Sequence, residues 1–196
     1  MSATVSTARA EEACELLFRT LAAHRDAVAG LTMRVASRRI PVVGTDPEQL
    51  QCQATLVRLL SITESFCSER LLNELESAVD PDRHDVVAQI WNSAYDAATS
   101  TWEKQQVHYN KWLGVNLGAA WTPIKDIAAT RNAVAHGHGF LTQRQRRDRG
   151  DMKSKLTPHQ ITLDGDRIVL SDSALAGVTA TCRKFIETLD LAVQNR

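Results

Sequence analysis

Seven consecutive residues, Arg131-Asn132-Ala133-Val134-Ala135-His136-Gly137, hold the side chains of this chain best suited to chemistry. Arg131 supplies a permanent cation whose planar fork of donors matches a phosphate. His136 supplies an imidazole, a group whose ordinary pKa of about 6.5 lets it take or give a proton near neutrality. Asn132 supplies an amide that can orient either one. The run reads as a helix interior followed by a glycine stop, with the helix ending near Gly137–Gly139 and His136 in its final turn. At 3.6 residues per turn, Arg131 and His136 point roughly 140° apart. Asn132 and His136, at i and i+4, share a face. Such a set can bind and cleave a phosphodiester. It can equally be a structural network, with His136 interacting with the helix dipole and Arg131 pairing with Glu64 across a bundle.

The elements that must position this run are mostly helical. Leu17, Leu21, Val28, Leu31 and Val35 recur at steps of three and four and predict a long helix from Ala8 to Arg38. A loop follows, and Asp46-Pro47 starts a second helix, with Asp as cap, Pro at the first position and Glu48 in the first turn. That helix is expected to run to about Val79 through Leu56, Leu60, Phe66, Leu71 and Leu75, before the break at Asp80-Pro81-Asp82. Val87, Ile90, Trp91, Ala94, Tyr95, Ala98 and Trp102 form the next helical stripe, with Trp91, Tyr95 and Trp102 read as core aromatics. Tyr109, Trp112 and Trp121 are expected to anchor the turn into the motif helix, which Thr122 caps and Pro123 opens. Ile161-Thr162-Leu163 and Arg167-Ile168-Val169-Leu170, joined through Asp164-Gly165, predict a β-hairpin over about 160–170. Ser171-Asp172 then caps a final helix over about 172–193, with Leu175, Val178, Cys182, Phe185, Ile186 and Leu189 facing inward. The fold class is therefore all-α: a single domain over 1–196, an up-down bundle of four to five helices with a small C-terminal β-hairpin.

Composition narrows the partners little. Lys+Arg and Asp+Glu both count 23, so net charge favours neither nucleic acid nor membrane. The start, MSATVSTARAEEACELL, lacks a basic segment followed by an apolar run, so no signal peptide is expected. No stretch approaches the roughly 18 uninterrupted apolar residues of a membrane span. A cytoplasmic protein without a membrane partner is the expectation. Cys14, Cys52, Cys67 and Cys182 lie far apart in apolar helical patterns and read as buried thiols, without the tight spacing of a zinc site. No metal or cofactor is called for, and no P-loop, GxGxxG, HExxH or GxSxG is present. Local charge is more telling. From Leu141 to Lys155 six basic residues (Arg144, Arg146, Arg147, Arg149, Lys153, Lys155) face two acidic ones. This cluster either holds a phosphate backbone or is a solvated face or mobile loop.

Arg131, polar Asn132 and His136 after four intervening residues, late in a helical bundle, resemble the signature of the HEPN superfamily. Trp112-Leu113-Gly114 and Trp121 lead into the motif helix, and Ser61-Ile62-Thr63-Glu64-Ser65-Phe66 is similar to a Glu-x-aromatic element on the second helix of several HEPN groups. The hairpin and final helix are similar to the subgroup associated with bacterial conflict and phage-defence loci. The resemblance spans roughly Gln49 to the C-terminus. It implies a metal-independent endoribonuclease acting as a homodimer, with motifs from both subunits lining one cleft, in a toxin or anti-phage setting with an antitoxin or defence-system partner. Other HEPN proteins have lost activity and serve as RNA-binding or assembly modules. His138 has no role fixed by the family pattern.

RNA cleavage without a metal needs three things. The 2′-hydroxyl must lose a proton, the phosphorane must be neutralised, and the 5′-oxygen must gain a proton. His136 suits the proton transfers and Arg131 the phosphorane, while Asn132 orients the imidazole or the scissile phosphate. One histidine per chain supplies one acid or base, and a two-fold dimer supplies two. Glu64 either holds Arg131 and lines the cleft or lies on a solvated face. His138 either supports the site or is simply exposed. Arg144, Arg146, Arg147 and Arg149 are the candidate RNA contacts.

Overall fold

Apolar residues at helical spacing gather this chain around three long helices. The structure, a computed structural model, describes residues 6–37, 46–78, 94–95 and 98–196, with 32–37 and 78 as backbone alone. Helix α1 (Ala8–Ser37), α2 (Pro47–Ala78) and the last helix, α7 (Asp172–Gln194), pack on one another. Between α2 and α7 lie α3 (Trp102–Leu113), α4 (Trp121–Gly137), the short α5 (Gln143–Arg147) and α6 (Arg149–Leu156), and a hairpin of β1 (Thr162–Asp164) and β2 (Arg167–Val169). The fold is all-α with a small C-terminal hairpin, as expected. Among the described residues, no helix is long and apolar enough to cross a membrane.

Capping chemistry places several boundaries. Asp46 Oδ1 accepts the N–H groups of Glu48 (3.0 Å) and Gln49 (3.2 Å), so α2 starts where the Asp-Pro pair indicates. Ser171 Oγ accepts the Ala174 N–H at 3.1 Å and starts α7. The two strands pair antiparallel, Asp164 opposite Arg167, so the turn residues are Gly165 and Asp166 rather than Asp164-Gly165. Gly165 alone takes a positive φ (57°), the pattern of a type II′ turn.

The core runs from Leu17, Leu56, Leu59 and Leu60 through Ile124 and Ile127 to Leu175, Val178, Cys182 and Ile186. Trp102, Trp121 and Phe185 meet edge to face, with centroids 4.9 to 6.4 Å apart. The buried Tyr109 hydroxyl donates to the Cys67 carbonyl at 2.7 Å. Cys52, Cys67 and Cys182 are buried and Cys14 half-buried, all as free thiols. Burial pushes the Cys52 and Cys182 thiols up to about 11.

One carboxylate in the core is fully satisfied. Asp190, with no exposed surface, accepts from the Thr7 N–H (2.7 Å), the Thr7 hydroxyl (3.0 Å), Arg70 Nε (3.0 Å) and the Gln194 amide (2.8 Å). It thereby joins the start of α1, the middle of α2 and the end of α7.

Four expectations need correction. Helix α4 starts at Trp121, after a 3-10 turn over Gly118–Ala120, and no side chain caps it. Thr122 is therefore not the cap, and Pro123 sits inside the first turn, where its missing N–H costs nothing. The helix ends at Gly137, within the expected bounds, but the residue that caps it in the left-handed region is His138 (φ 52°), followed by Gly139 (φ 86°), rather than a glycine alone. The aromatic stripe is interrupted at Thr101, whose extended backbone caps α3 anew. Among the described residues of the stripe, Tyr95 is exposed and Ala94 half-buried, while Ala98 and Trp102 enter the core; Val87, Ile90 and Trp91 lie outside the described residues. Trp112 anchors nothing inside. It is exposed and lies on the His108 ring at 3.8 Å, whereas Tyr109 and Trp121 are buried as expected.

Candidate functional site

Helix α4 carries the motif because one of its sides is apolar. Ile124, Ile127, Ala128, Ala133 and Val134 bury that side against α2, α7 and α6. The small Thr130 is also buried and returns its hydroxyl to the Asp126 carbonyl at 3.2 Å. Arg131 and Asn132 then fall at the edge of the packed side, and His136 falls in the last turn on the open side.

Arg131 is the best-held member. Its Nη2 donates to Glu64 Oε2 on α2 at 2.7 Å, and its Nη1 to Asn132 Oδ1 at 3.3 Å. Both side chains of the Arg131–Glu64 pair keep about a quarter of their surface exposed, 25% and 26%. Arg131 Nε is buried without a partner, and the spare donor capacity of the guanidinium lies on Nη1 and Nη2, each of which makes one of these two bonds. Glu64 thus reaches the motif, one of the two places left open for it.

An open groove of about 550 Å³ adjoins the pair, lined by Glu64, Arg131, Asn132, Lys125, Asp126 and Lys155, with the start of α3 along one wall. Lys125, Asp126 and Lys155 lack any signal in the motif. Lys125 and Asp126 stand six and five residues before Arg131 on α4 itself, and Lys155, read in the sequence as part of the basic cluster, arrives through the packing of α6 on α4. Lys125 Nζ donates to Gln106 Oε1 at 3.0 Å and Lys155 pairs with Asp151 at 2.5 Å. Burial pushes the Asp126 carboxyl up from the usual carboxylate value, opposed by the nearby His159 and Lys155. Burial also pushes the His159 imidazole down, and its Nε2 has no hydrogen-bond partner.

His136 does not line this groove. It is exposed, as is His138, and neither has a hydrogen-bond or ion-pair partner among the described residues. Within one chain the arrangement is therefore divided. Arg131, Asn132 and Glu64 meet at the groove, while His136 stands in the last turn of α4 and His138 just past its end, both outside the groove. Asn132, exposed and four residues before His136, is the link between the two halves.

The basic segment is folded, not a loop. Thr142 and Gln145 form a reciprocal capping box that starts α5, and Gln145 Nε2 donates to the Ala129 carbonyl of α4 at 2.8 Å. All four arginines are exposed, but they divide by partner. Asp166 in the hairpin turn takes Arg149 at 3.2 Å and, more loosely, Arg146 at 3.9 Å. Arg144 and Arg147 have no acidic partner among the described residues. Among those residues, no group of three or more His, Cys, Asp or Glu is placed to hold a metal ion.

Comparison with known proteins finds no matching family model, no curated protein and no solved structure similar to this chain.

Proposed function

We propose that this protein is a metal-independent endoribonuclease of HEPN type, active as a homodimer in the cytoplasm in a toxin or anti-phage role. The observation that carries the reading is the division of the motif. An anion-ready Arg131 stands beside an open groove, and an unpartnered, exposed His136 lies just beyond it. A second copy related by a two-fold axis supplies the missing acid–base group to the same phosphate. One imidazole takes the 2′-hydroxyl proton as the 2′-oxygen bonds to phosphorus. Arg131 offsets the charge of the phosphorane. The bond to the 5′-oxygen then breaks, and the second copy's imidazolium protonates that oxygen. The products are a 2′,3′-cyclic phosphate and a 5′-hydroxyl. Arg144, Arg146, Arg147 and Arg149 contribute to holding the RNA backbone, His138 supports the site from the adjoining turn, and an antitoxin or defence-system protein is the regulating partner.

The test is incubation of purified protein with total RNA in EDTA, beside His136→Ala and Arg131→Ala, with mapping of fragment ends. Wild type is expected to leave cyclic phosphate ends, and loss of the imidazole to slow cleavage by about 10²- to 10⁴-fold. A second reading has its own support. Glu64 already occupies one arm of the Arg131 fork, as it would in a catalytically inactive module that binds RNA or protein. No cleavage by any form, with RNA still bound, favours that module.

A further inference from the structure

The turn after the motif helix presents one aromatic ring to solvent on an unusually fixed backbone. Phe140 N–H donates to the Gly137 carbonyl at 2.9 Å. On either side of it, the Ile168 N–H donates to the Gly139 carbonyl and the Leu141 N–H to the Asp166 carbonyl, both at 2.8 Å. Phe140 thus stands as a bridge partner of Arg167 on β2. Its neighbours Gly139 and Leu141 are buried, while Phe140 itself keeps 49% of its surface exposed. Gly139 is held from the far side as well, since the Gln53 side-chain amide of α2 lies 2.4 Å from where a Cβ would stand.

A lone exposed phenylalanine needs no explanation. The surroundings of this one do. Bridge partners point to the same face with Cβ atoms about 5 Å apart, so the Arg167 side chain lies directly across from the ring. Arg144 and Arg147, at i and i+3 on α5, share a face. Gln145 anchors α5 to α4, and Arg147, two residues on, points roughly 160° away from that anchor. Among the described residues no carboxylate pairs with Arg144, Arg147 or Arg167, whereas Arg146 and Arg149 are taken by Asp166. A ring on a fixed backbone loses little freedom on binding, and unpaired guanidinium groups, one across the bridge at Arg167 and two on α5 close along the chain, suit phosphates rather than an apolar protein surface.

We infer that Phe140 is a stacking platform for a base of single-stranded RNA, with the flanking phosphates held by Arg167, Arg144 and Arg147. The inference rests on the RNA reading above and orders the basic cluster: Arg146 and Arg149, paired with Asp166, brace the hairpin and add only a secondary pull on the RNA backbone. It also places the strand over the turn that carries His138, beside His136, rather than along the groove alone.

The probe is a fluorescent 2′-O-methyl oligouridine 12-mer, which cannot be cut by attack of a 2′-oxygen. Its Kd is read by anisotropy for full-length wild type, Phe140→Ala, Phe140→Leu and Phe140→Trp. Ala and Leu are expected to weaken binding by about 5- to 100-fold, and Trp to hold or tighten it. Arg144→Ala and Arg147→Ala are each expected to lower the slope of log Kd against log salt by roughly 0.7. Because the ring is exposed, melting temperatures should stay within a few degrees and confirm that every variant folds. Binding by Ala or Leu within twofold of wild type overturns the platform, and so does a wild type that does not bind the oligomer. Dissociation of a dimer by Phe140→Ala in sedimentation would assign the ring to a protein contact and overturn it equally. Oligomer binding that depends on Phe140, without cleavage of unmodified RNA, would remove the nuclease and leave the platform standing.

Discussion

His138 is exposed and holds a left-handed backbone (φ 52°) that costs a side-chain-bearing residue roughly 1 kcal/mol relative to glycine. His138→Gly should therefore raise stability by about 0.5–1 kcal/mol in urea denaturation. If cleavage of RNA by that variant drops tenfold or more while stability rises, the imidazole supports the reaction. Unchanged cleavage would make it only an exposed cap. Legibility at this scale divides by how each residue reaches the site. The Arg131–Glu64 pair was foreseeable from a motif arginine and an acidic residue on the facing helix. The displacement of His136 from the groove follows from the roughly 140° between positions five apart. Lys155 and Arg167 reach their places through α6 and the hairpin, whose placement is tertiary, and Asp126 and Phe140, although close to the motif along the chain, have no spacing that sets them apart.

The elements are locked together by few polar groups, and Arg70 is the most consequential. It donates to the wholly buried Asp190 at 3.0 Å and pairs with Glu74 as well. Removing one partner of a buried pair strands the other charge, so Arg70→Met should cost about 3–5 kcal/mol, read as a lower urea midpoint. A loss under 1 kcal/mol would mean that Thr7 and Gln194 alone satisfy the carboxylate. Boundaries were legible where a side chain makes them: Asp46 for α2, Ser171 for α7 and Gly165 for the hairpin. They were not legible where packing makes them. Trp121 starts α4 because its ring is buried, not because a hydroxyl caps the first turn, and the Thr101 cap hides inside an apolar stripe that reads as continuous. The basic segment reads as loop by composition, but the Thr142–Gln145 box and the bond to Ala129 fold it as helix.

Across the whole molecule, three histidines share one consequence. Burial pushes the His24, His108 and His159 imidazoles below the ordinary value of 6.5, and the Asp126 carboxylate near His159 opposes that shift without reversing it. In the unfolded chain these groups bind protons at a higher pH than in the folded one. The unfolded state thus holds more protons below about 6.5, and stability must fall as pH drops through that range. Urea midpoints measured from pH 7.5 to 5 should decline, and His159→Gln and His24→Gln should each flatten the decline. An equally steep fall in both variants would remove burial of these rings as its cause.

The Asp190 junction also sets an order of events. Its bonds to Thr7 span 183 residues of chain, and its bond to Arg70 spans 120. On a ribosome, α1 and α2 emerge and can pair long before α7 exists, because loop closure favours the nearer partner. Until the last helix docks, the Arg70 guanidinium lacks its buried acceptor, and the apolar faces of α1 and α2 that α7 covers stay open to solvent. The incomplete chain therefore exposes apolar surface on α1 and α2 that only α7 covers, and the junction at Asp190 is among the last contacts that synthesis allows.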